Sequence, residues 1–372
     1  MADVFDQYLD AINKALAGGD ATEHTHRPAL KVLVEALGKG ITAVNEPRRI
    51  ACGAPDLRVA RTEHGTDQTL GYVECKDIGT NLVKEARSEQ VKKRYLPSLS
   101  NFILTDYIEF RWYLCGEMQL TARLAHEETG GRFKATAESG KQVEDLLTAF
   151  LSQAPQRITT AKDLAERMAA LARLLRDVIV GTFGREEPRG QLHEQLEAFR
   201  RVLIHDLTEE QFADMYAQTI CYGLFTARCH IDPAGLRDAQ SRAMDRRSAK
   251  FSRRDAGYLL PKTNPFLRKM FNQIAGPDLD DRITWVVDDI VALLDRAAMD
   301  EVLKGFARGS GGRDPVVHFY ETFLGQYDPT LREMRGVYYT PEPVVRYIVR
   351  SVDQLLRKKF GLKRGLADNT TV

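Results

Sequence analysis

The chain of 372 residues is poor in cysteine, and its cysteines are not arranged for a disulfide framework or a metal site. There is no close pairing and no CxxC spacing among the five, which are Cys52, Cys75, Cys115, Cys221 and Cys229. Thiols with this pattern are expected to be reduced, as is usual in the cytosol. The sequence therefore argues against a disulfide-rich secreted protein and against a zinc module.

Long apolar runs are missing as well. No segment approaches the roughly 20 apolar residues that are needed to cross a bilayer. The first twenty residues contain four aspartates and lack the apolar core of a secretion signal. We expect a soluble, cytoplasmic protein with no membrane partner.

The chain also has no excess of charge of one sign. It contains 53 basic and 52 acidic residues, for a formal net charge of +1. A near-neutral total does not exclude a nucleic-acid partner, because local clusters of charge matter more than the sum. With 43% hydrophobic residues the chain can form true apolar cores, and its length predicts two or three domains.

The hydrophobic pattern changes twice along the chain. Helical patterns at 1–17 and about 22–37 precede short β-like runs, which are interrupted by one helical pattern at 81–96. The β-like runs lie at 41–45, 55–61, 70–78, 102–106, 108–114 and 118–124. From Lys141 the pattern is helical almost without interruption, at 141–153, 160–181, 190–205, 208–228, 264–275, 279–297 and 314–326. The sequence therefore predicts an α/β domain at 1–140, an all-α connector at 141–330 and a third segment at 331–372.

Two carboxylates and a lysine form the most informative constellation. Seventeen residues separate Asp56 from Glu74, which is followed by Cys75 and Lys76. Side chains alternate across a strand, so Glu74 and Lys76 are expected on one face and Cys75 on the other. A hairpin through residues 63–68 would bring Asp56 beside them.

Such a group suits Mg²⁺, which prefers oxygen ligands and keeps several waters. We expect the metal ligands to be Asp56, Glu74 and the carbonyl of Cys75. A metal held there would polarise a phosphodiester and orient a water molecule. Lys76 would position or help to deprotonate that water and would offset the developing negative charge.

The simpler alternative is a hairpin whose exposed face happens to carry a Glu–Lys pair. The surrounding order of elements favours the catalytic interpretation, because a helix rich in basic residues follows the triplet, as a polyanionic substrate would require. That helix contains Lys84, Arg87, Gln90, Lys92, Lys93 and Arg94.

The order helix, Pro-Asp, Glu-Cys-Lys, helix resembles the PD-(D/E)XK nuclease superfamily, and specifically the N-terminal nuclease domains of large restriction–modification polypeptides. The resemblance implies Asp56, Glu74 and Lys76 as the catalytic core. It also implies that Glu23, in the run 23–28, is an accessory metal or water ligand. Gln90 is similar to a glutamine that braces the site in this family, often with a tyrosine four residues on. Here the tyrosine is Tyr95, five residues on, and an α-helix would turn it about 140° away.

A second signature lies at 336–341, before a helical pattern at 341–360. Thr340 as N-cap with Pro341 at the first helical position would make a well-capped helix on local physics alone. The run also resembles the entry to N6-adenine DNA methyltransferase domains. The resemblance implies that the S-adenosylmethionine pocket is lined by Tyr338, Tyr339, Thr340 and Pro341.

The glycine-rich and NPPY-type motifs that follow in that family do not occur in the sequence. The resemblance therefore implies the N-terminal part of a fused restriction–modification enzyme. The rest of the methyltransferase and the target-recognition domains would lie in cis or on a separate chain. S-adenosylmethionine would then bind only to the complete polypeptide. No P-loop of the GxxxxGK[ST] type occurs either, which favours a type II-like enzyme over an ATP-driven one.

Three functions remain open at this point. The leading hypothesis is a Mg²⁺-dependent endonuclease that acts on double-stranded DNA. The second is a fragment of an adenine-specific DNA methyltransferase, and the third is a catalytically silent DNA-binding module. A basic stretch at 237–254 is either a contact to the DNA backbone or a solvated linker, and the linker is the simpler interpretation.

Overall fold

The computed structural model describes most of the chain. The described residues are 2–19, 21–45, 54–63, 66–153, 157–184, 190–202, 204–229, 251–253, 256, 271, 276, 279–310, 315–330 and 342–368. No helix among them is long and apolar enough to cross a membrane.

The N-terminal part contains a six-stranded mixed sheet with helices before and after it. The chain begins with α1 (Ala2–Ala17), α2 (Glu23–Ala36), β1 (Ile41–Asn45), β2 (Leu57–Glu63) and β3 (Thr66–Cys75). A helical stretch then contains α3 (Leu82–Glu85), a π-helix (Glu89–Tyr95) and α4 (Leu96–Ser98). It is followed by β4 (Asn101–Thr105), β5 (Glu109–Leu114), β6 (Glu117–Arg123) and a small hairpin of β7 (Ala125–Glu127) with β8 (Phe133–Ala135).

The remaining described elements are helical. They are α5 (Ala137–Leu151), α6 (Ala161–Phe183), α7 (Gln191–Val202), α8 (Glu209–Cys229), α9 (Asp281–Arg296), α10 (Met299–Ser310), α11 (Pro315–Tyr327), α12 (Glu342–Lys359) and a 3₁₀ turn (Gly365–Ala367). Apart from Phe271, the predicted helix at 264–275 lies outside the described residues, as does most of the basic stretch at 237–254.

The strands of the sheet follow one another in chain order, from β1 to β6. All neighbours are antiparallel except β3 and β4, which are parallel and are joined through the α3–π–α4 stretch. A parallel pair needs such a crossover, because its strands must both start at the same end of the sheet. The crossover therefore returns the chain to that end and passes beside the end of β3, where Glu74 lies.

Each face of the sheet packs against a different apolar core, as the alternation along β3 requires. Val73 and Cys75 belong to the core formed with α1, α2 and α5. Tyr72 belongs to the core formed with the π-helix, α6, α8 and α9. Both faces are thus covered, and Glu74, which lies beside Gln90 of the π-helix, and Cys75 face opposite ways as the alternation predicts.

The apolar cores do not stop at residue 140, where the sequence predicts a domain boundary. Helix α5 packs against β3, β5 and β6, so it lies with the sheet although most of it follows that boundary. On the other face, Tyr72 contacts Trp285 of α9 edge to face and donates a hydrogen bond of 2.8 Å to Asp289. The division into nuclease domain, connector and methyltransferase segment therefore remains a prediction about separable units.

Candidate active site

Asp56 lies one residue before β2, at the end of the sheet where β3 finishes. The antiparallel register pairs Leu57 with Val73, which places Asp56 opposite the last residues of β3. Its Oδ2 accepts a hydrogen bond of 2.7 Å from the backbone amide of Cys75. The strand pairing thus fixes Asp56 beside the Glu-Cys-Lys triplet, across the predicted hairpin.

Glu74 is almost completely buried, with 4% of its surface exposed. Its Oε1 accepts a 2.7 Å hydrogen bond from Nζ of Lys76, two residues on along the same face. Its Oε2 is buried and has no hydrogen-bond partner in the described structure. A buried carboxylate oxygen without a donor is costly, and a cation or a water molecule bound there would remove that cost.

Gln90 and Tyr95 both reach this carboxylate region, which corrects the expectation for Tyr95. The Gln90 amide donates a 2.7 Å hydrogen bond to the Tyr95 hydroxyl and lies 3.4 Å from Oε1 of Glu74. The segment is a π-helix rather than an α-helix. In a π-helix the hydrogen bonds join residues five apart, so the fifth residue returns to the same side. The predicted 140° separation assumed the wrong helix.

Helix α2 brings Glu23 to the site and adds a residue that the sequence analysis did not assign. Arg27, one turn after Glu23, forms ion pairs with Oδ1 of Asp56 and with Oε1 of Glu23, the latter at 3.2 Å. The resemblance implies a role only for the acidic residue of the run 23–28, although this arginine lies in the same run. Its spacing of four from Glu23 on a helix was the available signal.

The start of α2 is tied to the end of the sheet where Glu74 lies by two hydrogen bonds to the backbone of Glu23. Asp77, which follows Lys76, accepts one of 2.8 Å from the Glu23 amide. Tyr107, in the β4–β5 turn, donates the other from its hydroxyl to the Glu23 carbonyl. Tyr107 is fully buried and has a φ of 72°, in the left-handed region that a non-glycine residue adopts only when its surroundings enforce it.

Cys75 takes part in the site through its backbone and not through its thiol. The side chain lies on the opposite face of β3 and is fully buried. Burial, followed by the charge of Asp56, raises the pKa of the Cys75 thiol well above its ordinary value. The role of its carbonyl as a metal ligand stays a prediction from the sequence.

The site holds more negative charge than positive, and the pKa values respond to this. Burial, followed by the charge of Asp56, raises the pKa of Glu74 from 4.5 to about 8. Burial also raises the pKa of Asp56, although the Cys75 amide and Arg27 oppose that rise. For Lys76, burial lowers the pKa, but the charge and hydrogen bond of Glu74 outweigh burial and leave the pKa raised. Lys76 is therefore a cation at neutral pH.

The residues present are compatible with a magnesium ion. Within the described part of the chain, no group of three or more histidine, cysteine, aspartate or glutamate side chains is arranged to hold a metal. Mg²⁺ does not need such a group, since it is commonly bound through one or two carboxylates with water completing the shell. Asp56 and Glu74 form such a pair, and the unpartnered Oε2 of Glu74 offers an open ligand position.

Several basic side chains of the stretch that follows β3 are free to meet a polyanion. Lys84, Arg87 and Lys92 are exposed and make no ion pair with any carboxylate that the structure describes. The remaining two basic side chains of this stretch already have partners. Lys93 pairs with Glu89, and Nε of Arg94 lies 3.3 Å from Oδ2 of Asp177.

The four residues predicted to line a cofactor pocket lie outside the described residues: Tyr338, Tyr339, Thr340 and Pro341. The helix that follows them is described as α12, close to its predicted bounds. Most of its apolar residues are exposed, including Val345 at 41%, Ile348 at 50% and Leu355 at 52%.

Comparison with known proteins adds little to this picture. No protein-family model and no curated protein matches the chain. Among solved structures it is similar to one described as "cryoEM structure DrdV-DNA complex", with a TM-score of 0.34 and 20% identity. The alignment covers 100% of this chain and 33% of that chain, so this chain spans about a third of that chain's length. A similarity at this level assigns neither a family nor an activity.

Proposed function

We propose that the sheet and its flanking helices form a PD-(D/E)XK-type nuclease domain, and that the chain is the Mg²⁺-dependent endonuclease module of a type II-like restriction–modification polypeptide. The observation that carries the proposal is the convergence of Asp56, Glu74 and Lys76 at one end of the sheet. The simpler interpretation, an exposed Glu–Lys pair on a hairpin, does not fit a glutamate that is 4% exposed and has one oxygen unpartnered.

Asp56 and Glu74 would hold the metal, with Glu23 as a third carboxylate at the edge of the site. When bound, Mg²⁺ supplies a Lewis acid for the scissile phosphate and lowers the pKa of a bound water. Gln90, which is braced by Tyr95, restrains Glu74 so that its free oxygen stays directed away from Lys76. A carboxylate pre-oriented in this way loses little entropy when it binds a cation.

Lys76 would stabilise negative charge on the phosphate during hydrolysis. Its raised pKa favours this role over that of a proton acceptor, because a protonated amine cannot accept a proton. Its position is fixed by the 2.7 Å hydrogen bond that its ammonium donates to Glu74. The same bond orients Glu74, the proposed metal ligand.

Double-stranded DNA is the proposed substrate. The exposed Lys84, Arg87 and Lys92 follow the catalytic strand and would contact backbone phosphates, which supply most of the sequence-independent affinity for DNA. The target sequence would be read by other domains, in cis or on a separate chain. The methyltransferase segment and its S-adenosylmethionine pocket likewise belong to a complete polypeptide in this proposal.

Plasmid cleavage with Mg²⁺, with and without EDTA, tests the proposal. Asp56→Asn, Glu74→Ala and Lys76→Ala should each lower the cleavage rate by orders of magnitude, and their effects should not add, because the residues act as a unit. The exposed ion pair on the π-helix provides matched controls, and Glu89→Ala and Lys93→Ala should cleave like the wild type. Metal-dependent cleavage by Glu74→Ala at the wild-type rate would exclude this site.

A further inference from the structure

Arg27 lies between two carboxylates of the site and retains an unused donor. Its guanidinium pairs with Asp56 and lies 3.2 Å from Glu23, and its side chain is 15% exposed. Its Nε is buried and has no hydrogen-bond partner in the described structure. A buried donor of an always-charged group is expensive to leave unsatisfied, so its presence needs an explanation.

Both oxygens of Asp56 are in use. Oδ2 accepts the Cys75 amide at 2.7 Å, and this bond belongs to the strand contact that positions Asp56. Oδ1 accepts Arg27. Oδ1 carries no backbone contact, so it is the oxygen that a divalent cation can take while the strand contact stays undisturbed. The cation and the guanidinium then compete for one oxygen, because like charges repel strongly at such a distance in a site of low exposure.

We propose that Arg27 is a phosphate-binding residue of the site, held on Asp56 until the divalent cation displaces it. The inference rests on the proposed function. It adds Arg27 to the proposed site, whose core consists of Asp56, Glu74 and Lys76. When the divalent cation displaces Arg27, one positive group replaces another on Asp56. The guanidinium of Arg27 is then free to bind a phosphate of the substrate.

Glu23 gives the released guanidinium a second anchor. The two residues are one turn apart on α2, so the pair at 3.2 Å can persist when the contact to Asp56 is lost. The guanidinium then presents Nε and an adjacent Nη in the fork that binds two oxygens of a phosphate. The backbone of Glu23 is held by Asp77 and Tyr107, so the anchor itself is fixed to the catalytic end of the sheet.

The charges support this exchange. When every group is ionised, as metal binding to Glu74 requires, three carboxylates, Glu23, Asp56 and Glu74, face two cations, Arg27 and Lys76, for a net charge of −1. A bound divalent cation changes this to +1, which matches the single negative charge of a phosphodiester. Arg27 therefore nearly neutralises the site before the metal binds and attracts the substrate once it has bound.

Mn²⁺ titration of the full chain, followed by electron paramagnetic resonance of the free ion, tests the competition without any cleavage. Arg27→Gln should bind Mn²⁺ at least about tenfold more tightly than the wild type, since a charge within a few ångströms changes the affinity of a carboxylate for a proton by that order. Lys31→Gln is the control, because it removes a cation from the same helix that pairs only weakly with Glu35, at 3.8 Å. Its Mn²⁺ affinity should equal that of the wild type.

Cleavage and substrate affinity test the second half of the proposal. Arg27→Gln should cleave at least about a hundredfold more slowly than the wild type at saturating Mn²⁺, although it binds the metal better. Arg27→Lys keeps the charge but not the fork. It should bind Mn²⁺ within about threefold of the wild type and still cleave poorly, and circular dichroism should show that both variants are folded.

The outcomes separate the inference from the proposed function. Equal Mn²⁺ affinity for Arg27→Gln and the wild type, with binding abolished by Glu74→Ala, would overturn the competition and leave the nuclease proposal standing. Wild-type cleavage by Arg27→Lys would overturn the bidentate phosphate role. Mn²⁺ binding that is insensitive to Glu74→Ala would instead overturn the proposed metal site itself.

Discussion

Glu74 should make the stability of the metal-free protein depend on pH. Burial and the neighbouring Asp56 raise its pKa from 4.5 to about 8 in the folded state. Between these values the folded protein keeps a proton that the unfolded chain has released, so the free energy of unfolding falls as pH rises. The contribution of Glu74 is fully present below about pH 4.5 and is lost as pH rises through about 8.

The size of the effect follows from the same two values. One pKa unit corresponds to about 1.4 kcal/mol, and the interval from pH 5 to pH 7 lies inside the window. Wild-type protein should therefore lose about 2 to 3 kcal/mol over that interval relative to Glu74→Gln, which cannot ionise. The glutamine variant should be the more stable of the two at pH 7 in EDTA, although it lacks the proposed catalytic carboxylate.

Urea denaturation at pH 5, 6, 7 and 8 in EDTA measures this difference. The other titrating groups are shared by the two proteins, so the effects of those that do not contact Glu74 cancel in the comparison. Glu117→Gln, at an exposed position of β6, is a control that should follow the wild type at every pH. Parallel pH profiles for wild type and Glu74→Gln, or a less stable Glu74→Gln at pH 7, would refute the reasoning.

Mg²⁺ should reverse the effect in the wild type alone. A ligand that binds only the folded state at ten times its dissociation constant adds about 1.4 kcal/mol to stability. At pH 7.5 the urea midpoint of the wild type should rise with Mg²⁺ concentration, and that of Glu74→Gln should not. A midpoint that responds equally in both proteins would place the metal somewhere other than Glu74.

Three further changes test the surroundings of the site. Tyr95→Phe should cost about 1 kcal/mol in urea denaturation and slow plasmid cleavage by roughly tenfold, because the Gln90 amide loses its 2.7 Å acceptor. Replacing Lys84, Arg87 and Lys92 together by alanine should weaken DNA binding and make its salt dependence shallower, and an unchanged slope would remove these residues from the interface. Gly71→Ala should destabilise the chain by about 1 to 3 kcal/mol, because its added carbon would lie 2.5 Å from the Asn101 carbonyl oxygen and 2.6 Å from Phe150, and a wild-type melting profile would contradict this packing.

The strands were predictable because their pattern is local. Alternation along 70–78 predicted that Glu74 and Cys75 face opposite ways, and the two apolar cores lie on the expected sides. The hairpin could also be inferred, since β2 and β3 are joined by a short connection. The bounds of β3 were less accurate: the strand is Thr66–Cys75, and Lys76 lies just beyond it.

The π-helical geometry of 89–95 and the contact of Arg27 with Asp56 could not be predicted from local sequence patterns. Hydrophobic period does not distinguish a π-helix of seven residues from two turns of α-helix, so the sequence placed Tyr95 away from Gln90. Arg27 was visible as a residue, but its contact with Asp56 joins positions that are far apart in the chain and depends on how α2 meets the sheet. The bonds from Asp77 and Tyr107 that fix this meeting are side-chain contacts to a backbone, which carry no sequence pattern.

The same contacts explain why the site is assembled from several elements and not from the hairpin alone. A hairpin carrying Glu74 and Lys76 on an exposed face would keep both groups solvated, and neither would gain affinity for a cation. Here Gln90 of the π-helix contacts Glu74, and α2 and the β4–β5 turn meet beside the end of β3, where Glu74 is a buried carboxylate with a free oxygen. Burial costs stability when the carboxylate is charged, and a divalent cation offsets that cost more effectively than water can. The destabilisation predicted for pH 7 is thus the physical source of the metal affinity that the proposed function requires.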